Sequence, residues 1–319
     1  MEERTLSHLF VRNGRLLSGW RIGLYLVCYL VGLLMIQTPL VGLYIGYLVS
    51  QGIASTSDLL AEVRPDHLPI WLSLALKLAE LILLLALTYL FCRLLDRRSL
   101  IGLGFRLDRG WIPDLLLGLV LGGVQMGLIF GIESASGWLS VGLLNGAALA
   151  RGLGEGLIAA GLFVLVAVGE ELMFRGYLQV NLREGLGLSP AIVLTSLIFG
   201  LFHALNPNFR WMALINLVLA GLSYSYGRAV TGNLWLPIAY HFSWNFHQGA
   251  VFALPVSGMR YGGLLAVADQ GAVPLLTGAA FGPEGGLVGT LVVLLSFPVF
   301  WLWGRWRRVA LVKNRRPLM

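Results

Sequence analysis

The sequence predicts an all-α protein: a polytopic transmembrane helical bundle of about eight spans, with both termini cytoplasmic. Three observations lead there. Hydrophobic residues make up 57% of the 319 residues and charged residues only 12%, about half the ~25% of an ordinary soluble domain. Mean hydropathy is +0.78, more apolar surface than a soluble fold can hide but not more than a bilayer accepts. The apolar residues also come in long runs, with arginines gathered between and beyond them.

The runs fall at about 20–48, 69–93, 111–133, 155–179, 189–206, 211–228, 233–253 and 285–304. Each approaches or exceeds the ~20 residues that a spanning helix needs. Strands are excluded for these runs, because an open sheet edge cannot face hydrocarbon. The first run is too long for a signal-peptide core and lacks a small-residue cleavage site after it, so it is expected to remain as the first span. In the third run Gly118, Gly122, Gly123 and Gly127 are placed for close helix packing. The Gly- and Pro-rich stretch 254–284 reads as an irregular outer loop.

Charge sets the orientation. Arg4, Arg12, Arg15 and Arg21 precede or open the first run, and Arg93, Arg97, Arg98, Arg106 and Arg109 follow the second. Arg183 and Arg228 lie on the same side, as do Arg305, Arg307, Arg308, Lys313, Arg315 and Arg316 at the end. The alternate loops are poorer in cations, holding Arg64 against Asp58, Glu62 and Asp66, then Arg151, Arg210 and Arg260. A bias of this kind puts both ends in the cytoplasm, which requires an even number of spans. The net charge of +7 is thus explained by membrane orientation, with no nucleic-acid partner implied. Cys28 and Cys92 are far apart, with neither disulfide nor metal spacing. The chain divides into 1–154, with three spans and a cytoplasmic tail; 155–253, with the polar motifs; and 254–319, with the outer loop, last span and basic tail.

Ionisable side chains inside spans are costly and call for a reason. Glu170-Glu171-Leu172-Met173-Phe174-Arg175 closely follows the run Leu162 to Val168. Glu171 and Arg175 share a helical face at i, i+4, in the favourable order for an ion pair. Glu170 is turned away from that arginine and has no local partner, which suits a general base. Phe199-Gly200-Leu201-Phe202-His203 places a histidine in an apolar run. In His241-Phe242-Ser243-Trp244-Asn245 the histidine and the amide share a face, and His247 is rotated away. Lys77 and Glu80, at i, i+3, read as a self-neutralising pair, and Glu133 as an interfacial residue at a span end. At ~1.5 Å rise per residue, Glu170, His203, His241 and Asn245 lie about 12–20 Å from the cytoplasmic ends of their spans. That depth permits them to meet.

These three motifs, in this order on separate apolar helices, resemble the CPBP family, which contains the type II CAAX prenyl endopeptidases and the Abi and bacteriocin-processing membrane proteases. The match covers about residues 155–250 and rests on Glu170, Glu171 and Arg175, then Phe199 and His203, then His241 and Asn245. The resemblance implies peptide-bond hydrolysis in the membrane. On it, Glu170, His203, His241 and Asn245 are the expected catalytic residues, with Glu171, Arg175 and Phe199 supporting them. Glu170 would deprotonate a water held by His203, while His241 and Asn245 would stabilise the oxyanion. A cofactor is not needed for this scheme. The alternative is zinc held by Glu170, His203 and His241 with an open position for water, although no H-E-x-x-H occurs. The expected partners are the bilayer and a membrane-embedded or lipid-anchored peptide or protein, and the expected location is the plasma (inner) membrane. Two rivals remain: a proton- or ion-coupled transporter, which would show repeated halves, and a non-catalytic scaffold or immunity protein.

Overall fold

Long apolar runs become helices because hydrocarbon offers no hydrogen bonds to a peptide group, and only a helix satisfies its own. In the computed structural model, which describes residues 10–12, 15–53 and 55–313, helix dominates. Arg4, Arg315 and Arg316, invoked by the charge bias, lie outside the described residues, as do the side chains of Arg12 and Lys313. The helices are α1 (Ser18–Ser50), α2 (Thr56–Glu62), α3 (Ile70–Phe91), α4 (Trp111–Ala135), α5 (Gly146–Glu171) and α6 (Gln179–Leu186). They continue with α7 (Leu188–Phe202), α8 (Trp211–Thr231), α9 (Trp235–Asn245), α10 (Pro274–Thr277), α11 (Leu287–Leu294) and α12 (Ser296–Lys313).

Among the described residues, five helical stretches are long and apolar enough to cross a membrane by length and composition: Ser18–Ser50, Ile70–Asp96, Trp111–Ala135, Gly146–Leu186 and Leu287–Val309. They correspond to five of the eight expected spans. The other three are α7, apolar but shorter; α8, which carries the buried polar residues Asn216, Ser223 and Ser225; and α9, which is almost wholly buried. Exposed Leu34, Met35 and Leu43 on α1 suit a lipid-facing surface.

The glycine spacing in α4 has a direct packing consequence. A Cβ on Gly118 would stand 2.6 Å from the Leu236 carbonyl oxygen, and one on Gly122 would stand 2.8 Å from the Trp244 nitrogen. The backbones of α4 and α9 therefore approach to contact at these glycines. Gly127 meets nothing within 4 Å and takes no part in this packing.

The architecture departs from all-α outside the spans. Among the described residues two two-stranded antiparallel ribbons are present, β1 (Val11–Arg12) with β2 (Arg15–Leu16) and β3 (Leu139–Leu143) with β4 (Leu265–Asp269). The second pairs Leu139 with Asp269 and Leu143 with Leu265. The stretch expected as an irregular outer loop is thus partly ordered. Its Leu254, Val256 and Phe281 are buried in the apolar core.

Candidate active site

The polar cluster starts where α5 ends. After Glu171 the helix widens into a π-helical stretch, Leu172–Leu178, every residue of which is buried. Irregular winding of this kind is frequent at functional sites. Arg175 lies within it, fully buried. Its guanidinium donates to Glu171 Oε1 at 3.0 Å, to Ser225 Oγ at 3.4 Å and to the Gly221 carbonyl at 3.1 Å. The expected ion pair is therefore present. Arg175 Cζ sits 4.3 Å from the centre of the Phe199 ring and 5.0 Å from that of Tyr224, favourable cation–π positions. Gly221 makes room: a Cβ there would stand 2.9 Å from Ser196 Cα and 3.2 Å from Arg175 Nη2.

Glu171 binds a second partner. His241 Nδ1 lies 3.1 Å from Glu171 Oε1, and its ring stacks on Tyr224 at 5.0 Å and 14°. A carboxylate only accepts, so the proton of His241 is on Nδ1 and Nε2 points away toward Glu170. His203 is arranged in the same way. It caps the C-terminal end of α7, and its Nδ1 is 2.8 Å from the Phe199 carbonyl. A carbonyl also only accepts, so Nε2 of His203 is again the free nitrogen.

The two free nitrogens converge on Glu170. His203 Nε2 stands 4.0 Å and His241 Nε2 3.9 Å from Glu170 Oε2. That oxygen is buried and has no hydrogen-bond partner among the described residues. Asn245, one turn beyond His241, is 5% exposed. All four side chains line one cavity of about 640 Å³. The three motifs, about 70 residues apart in sequence at their extremes, therefore meet. His247, read as rotated away, points elsewhere and bonds the Ser243 carbonyl at 2.7 Å.

Zinc holds its ligands at about 2.0–2.2 Å in a tetrahedron, which puts ligating atoms roughly 3.3 Å apart. The two distances of 4.0 and 3.9 Å are wider than that. No group of three or more His, Cys, Asp or Glu among the described residues is placed to hold a metal ion. As they stand, Glu170, His203 and His241 do not fit zinc. Atoms that share one bridging water stand roughly 4–5 Å apart, given hydrogen bonds of about 2.8 Å, and each histidine's distance to Glu170 is of that order.

Other cavity residues carry no motif. The Lys77–Glu80 pair is present at 2.8 Å, and Tyr29 also donates to Glu80, at 2.8 Å. All three line the cavity, so the pair does more than neutralise itself. Glu284 lines it too, with Oε2 accepting from the Ser257 backbone nitrogen at 2.6 Å and from Ser257 Oγ at 2.8 Å. These two residues come from the supposed outer loop. The one available signal was an acid between Pro283 and the paired Gly285 and Gly286. Tyr224, the plate beneath His241, had no signal beyond being an aromatic residue on an apolar helix. Glu133, expected at the interface, is instead buried in the protein, at 2% exposure.

Residues 153–247 match the family model described as type II CAAX prenyl endopeptidase Rce1-like. The matched segment contains all three motifs, and it bears out the resemblance to the CPBP family of membrane proteases. Comparison with curated proteins found no match, and comparison with solved structures found none either.

Proposed function

From that match and the geometry of the cavity, we propose that the chain is an intramembrane endopeptidase using a glutamate-activated water. One observation carries the reading: Glu170 Oε2, buried and without a hydrogen-bond partner, faces the free nitrogens of His203 and His241 at 4.0 and 3.9 Å on the wall of a large cavity.

The chemistry follows from these donors and acceptors. A water between the three groups is oriented by His203 Nε2 and gives a proton to Glu170. Its oxygen attacks the scissile carbonyl carbon. The resulting oxyanion is met by the Asn245 amide and by His241 in its imidazolium form, whose Nε2 donates with a proton taken from solvent before the attack and kept throughout. Glu171, against Nδ1, holds the ring in place and balances that charge. Collapse of the intermediate expels the amine, which takes the proton from Glu170, and the acid left behind gives its own proton to the released amine, so the products leave as an ammonium and a carboxylate. Arg175 and Phe199 are positioning residues that keep Glu171 and the two histidines in register. The substrate is a membrane-embedded or lipid-anchored peptide, because the cavity walls are mostly apolar apart from this cluster.

The test compares peptide termini across the membrane proteomes of matched cells carrying the wild type or Glu170→Gln. Termini found only with the wild type support the protease and name its substrate. Identical maps, with the variant still replacing the wild type in a deletion strain, would leave a scaffold as the better account.

A further inference from the structure

The segment that follows α3 folds into an open basic pocket of about 670 Å³. After Phe91 the helix gives way to a π-helical stretch, Cys92–Asp96. Arg97 closes that stretch in the left-handed conformation, at φ 51°, a region that residues other than glycine enter at a cost. The reversal sets Arg98, Ser99 and Ile101 beside Tyr89 and Arg93, and these residues with Arg97 wall the pocket.

Three guanidinium groups thus share one concavity, and no acidic side chain among the described residues lines it. The side chains of Arg93 and Arg97 form no hydrogen bond or ion pair with any described residue. Arg98 uses one nitrogen on Glu184, at 2.7 Å, and has further N–H groups to donate. Glu184 cannot balance the rest, because Arg21 holds its other oxygen at 2.8 Å and Arg15 stands 3.7 Å away. Ser99 Oγ accepts from the Gly102 amide at 3.2 Å and keeps its own proton to donate. The polar side chains on this wall are cations and hydroxyls, all able to donate. Such a wall selects an anion with several oxygens, and a phosphate group matches the guanidinium fork.

Position decides where that phosphate comes from. The membrane-length stretch Ile70–Asp96 ends at the pocket, which puts the arginines at the level of the lipid headgroups. Tyr89, Leu90, Leu94 and Ile101 are all exposed around them, Leu94 at 69%. Unpaired guanidinium groups flanked by a tyrosine and exposed aliphatic side chains suit the boundary between acyl chains and headgroups. We propose that this pocket binds the headgroup phosphate of an anionic phospholipid, with Arg93 and Arg97 as its main contacts and Tyr89 and Ile101 against the first carbons of the acyl chains. Bound there, the lipid balances the excess positive charge beside the Arg21–Asp96 ion pair. It also holds in place the end of α3, the helix that carries Lys77 and Glu80 to the large cavity. The site stands whether or not that cavity hydrolyses peptides.

The experiment uses the full-length protein in detergent, with the lipids retained on it counted by native mass spectrometry. Phosphatidylglycerol and phosphatidylcholine are offered at equal concentration to the wild type, to Arg93→Gln/Arg97→Gln and to Arg106→Gln/Arg109→Gln. The last pair removes the same charge from the same loop, outside the pocket. The wild type should retain phosphatidylglycerol over phosphatidylcholine, the pocket variant should bind it about tenfold or more weakly, and the control should stay within about twofold of the wild type. All four arginines are exposed, so the three proteins should melt alike without lipid. Should the pocket variant fail to fold, Arg93→Gln carries the test alone. Inorganic phosphate and glycerol 3-phosphate are then added as competitors, to separate a soluble phosphate from a lipid. No preference for phosphatidylglycerol, an equal loss in both variants, or its displacement by either soluble phosphate at equal concentration overturns the proposal.

Discussion

Two clusters of charge are buried between the helices, and they are built in opposite ways. At one end of the bundle Arg21, 1% exposed, donates to Asp96 and to Glu184, the latter at 2.8 Å, while Arg98 reaches Glu184 at 2.7 Å and Arg15 reaches the Asp96 carbonyl at 3.0 Å. Every charge there faces an opposite one, and the cluster staples α1, the end of α3 and α6 together. At Glu170 the opposite holds. A carboxylate oxygen faces two imidazole nitrogens at 4.0 and 3.9 Å, too far to bond directly. In the first arrangement each carboxylate is held by at least one guanidinium. The second leaves an acceptor, two free nitrogens and a space between them.

The contrast is sharpest within α5 itself, where neighbours in sequence take opposite roles. Glu171 is spent on Arg175 and His241, and Glu170 is not. Glu170→Gln should lower turnover about 10²–10⁴-fold while leaving the detergent melting temperature unchanged. A stability loss as large as the activity loss would instead make Glu170 structural. Arg175→Met should do the reverse, costing about 3–5 kcal/mol of stability by stranding the buried Glu171 carboxylate, measured by thermal unfolding in detergent. Asn245→Ala should cost about 10²–10³-fold in kcat with little change in KM, as loss of one oxyanion donor does. A pure KM effect would assign Asn245 to substrate binding.

Smaller effects are expected away from the cavity. Gly122→Ala pushes a methyl against the backbone of α9 and should destabilise by about 1–3 kcal/mol. Arg98→Ala, at the rim of the stapling cluster, should shift stability by less than about 1 kcal/mol, as partly exposed pairs do.

The same contrast explains what could be read in the sequence. Glu171 with Arg175, and His241 with Asn245, were legible because helical periodicity places residues four apart on one face. The lack of a partner for Glu170 was legible from the same rotation. That α5, α7 and α9 bring these residues together was only permitted by depth, since tilt is set by packing such as that of Gly118 and Gly122 against α9. Tyr224, Ser257 and Glu284 were not legible, because single residues at ordinary spacing carry no pattern. The β3–β4 ribbon escaped notice because each strand has five residues and its partner lies more than a hundred positions away in the chain.

The π-helical stretch after Glu171 has a consequence for how this chain can vary in length. A π turn is one residue more than an α-helix needs for the same advance, a local insertion absorbed without breaking the rod. Deleting a single residue between Leu172 and Leu178 should therefore let the segment rewind as ordinary helix, with α6 still in phase with its neighbours. What would be lost is the placing of Arg175, so the insertion marks where the helix exchanges regularity for the position of one side chain.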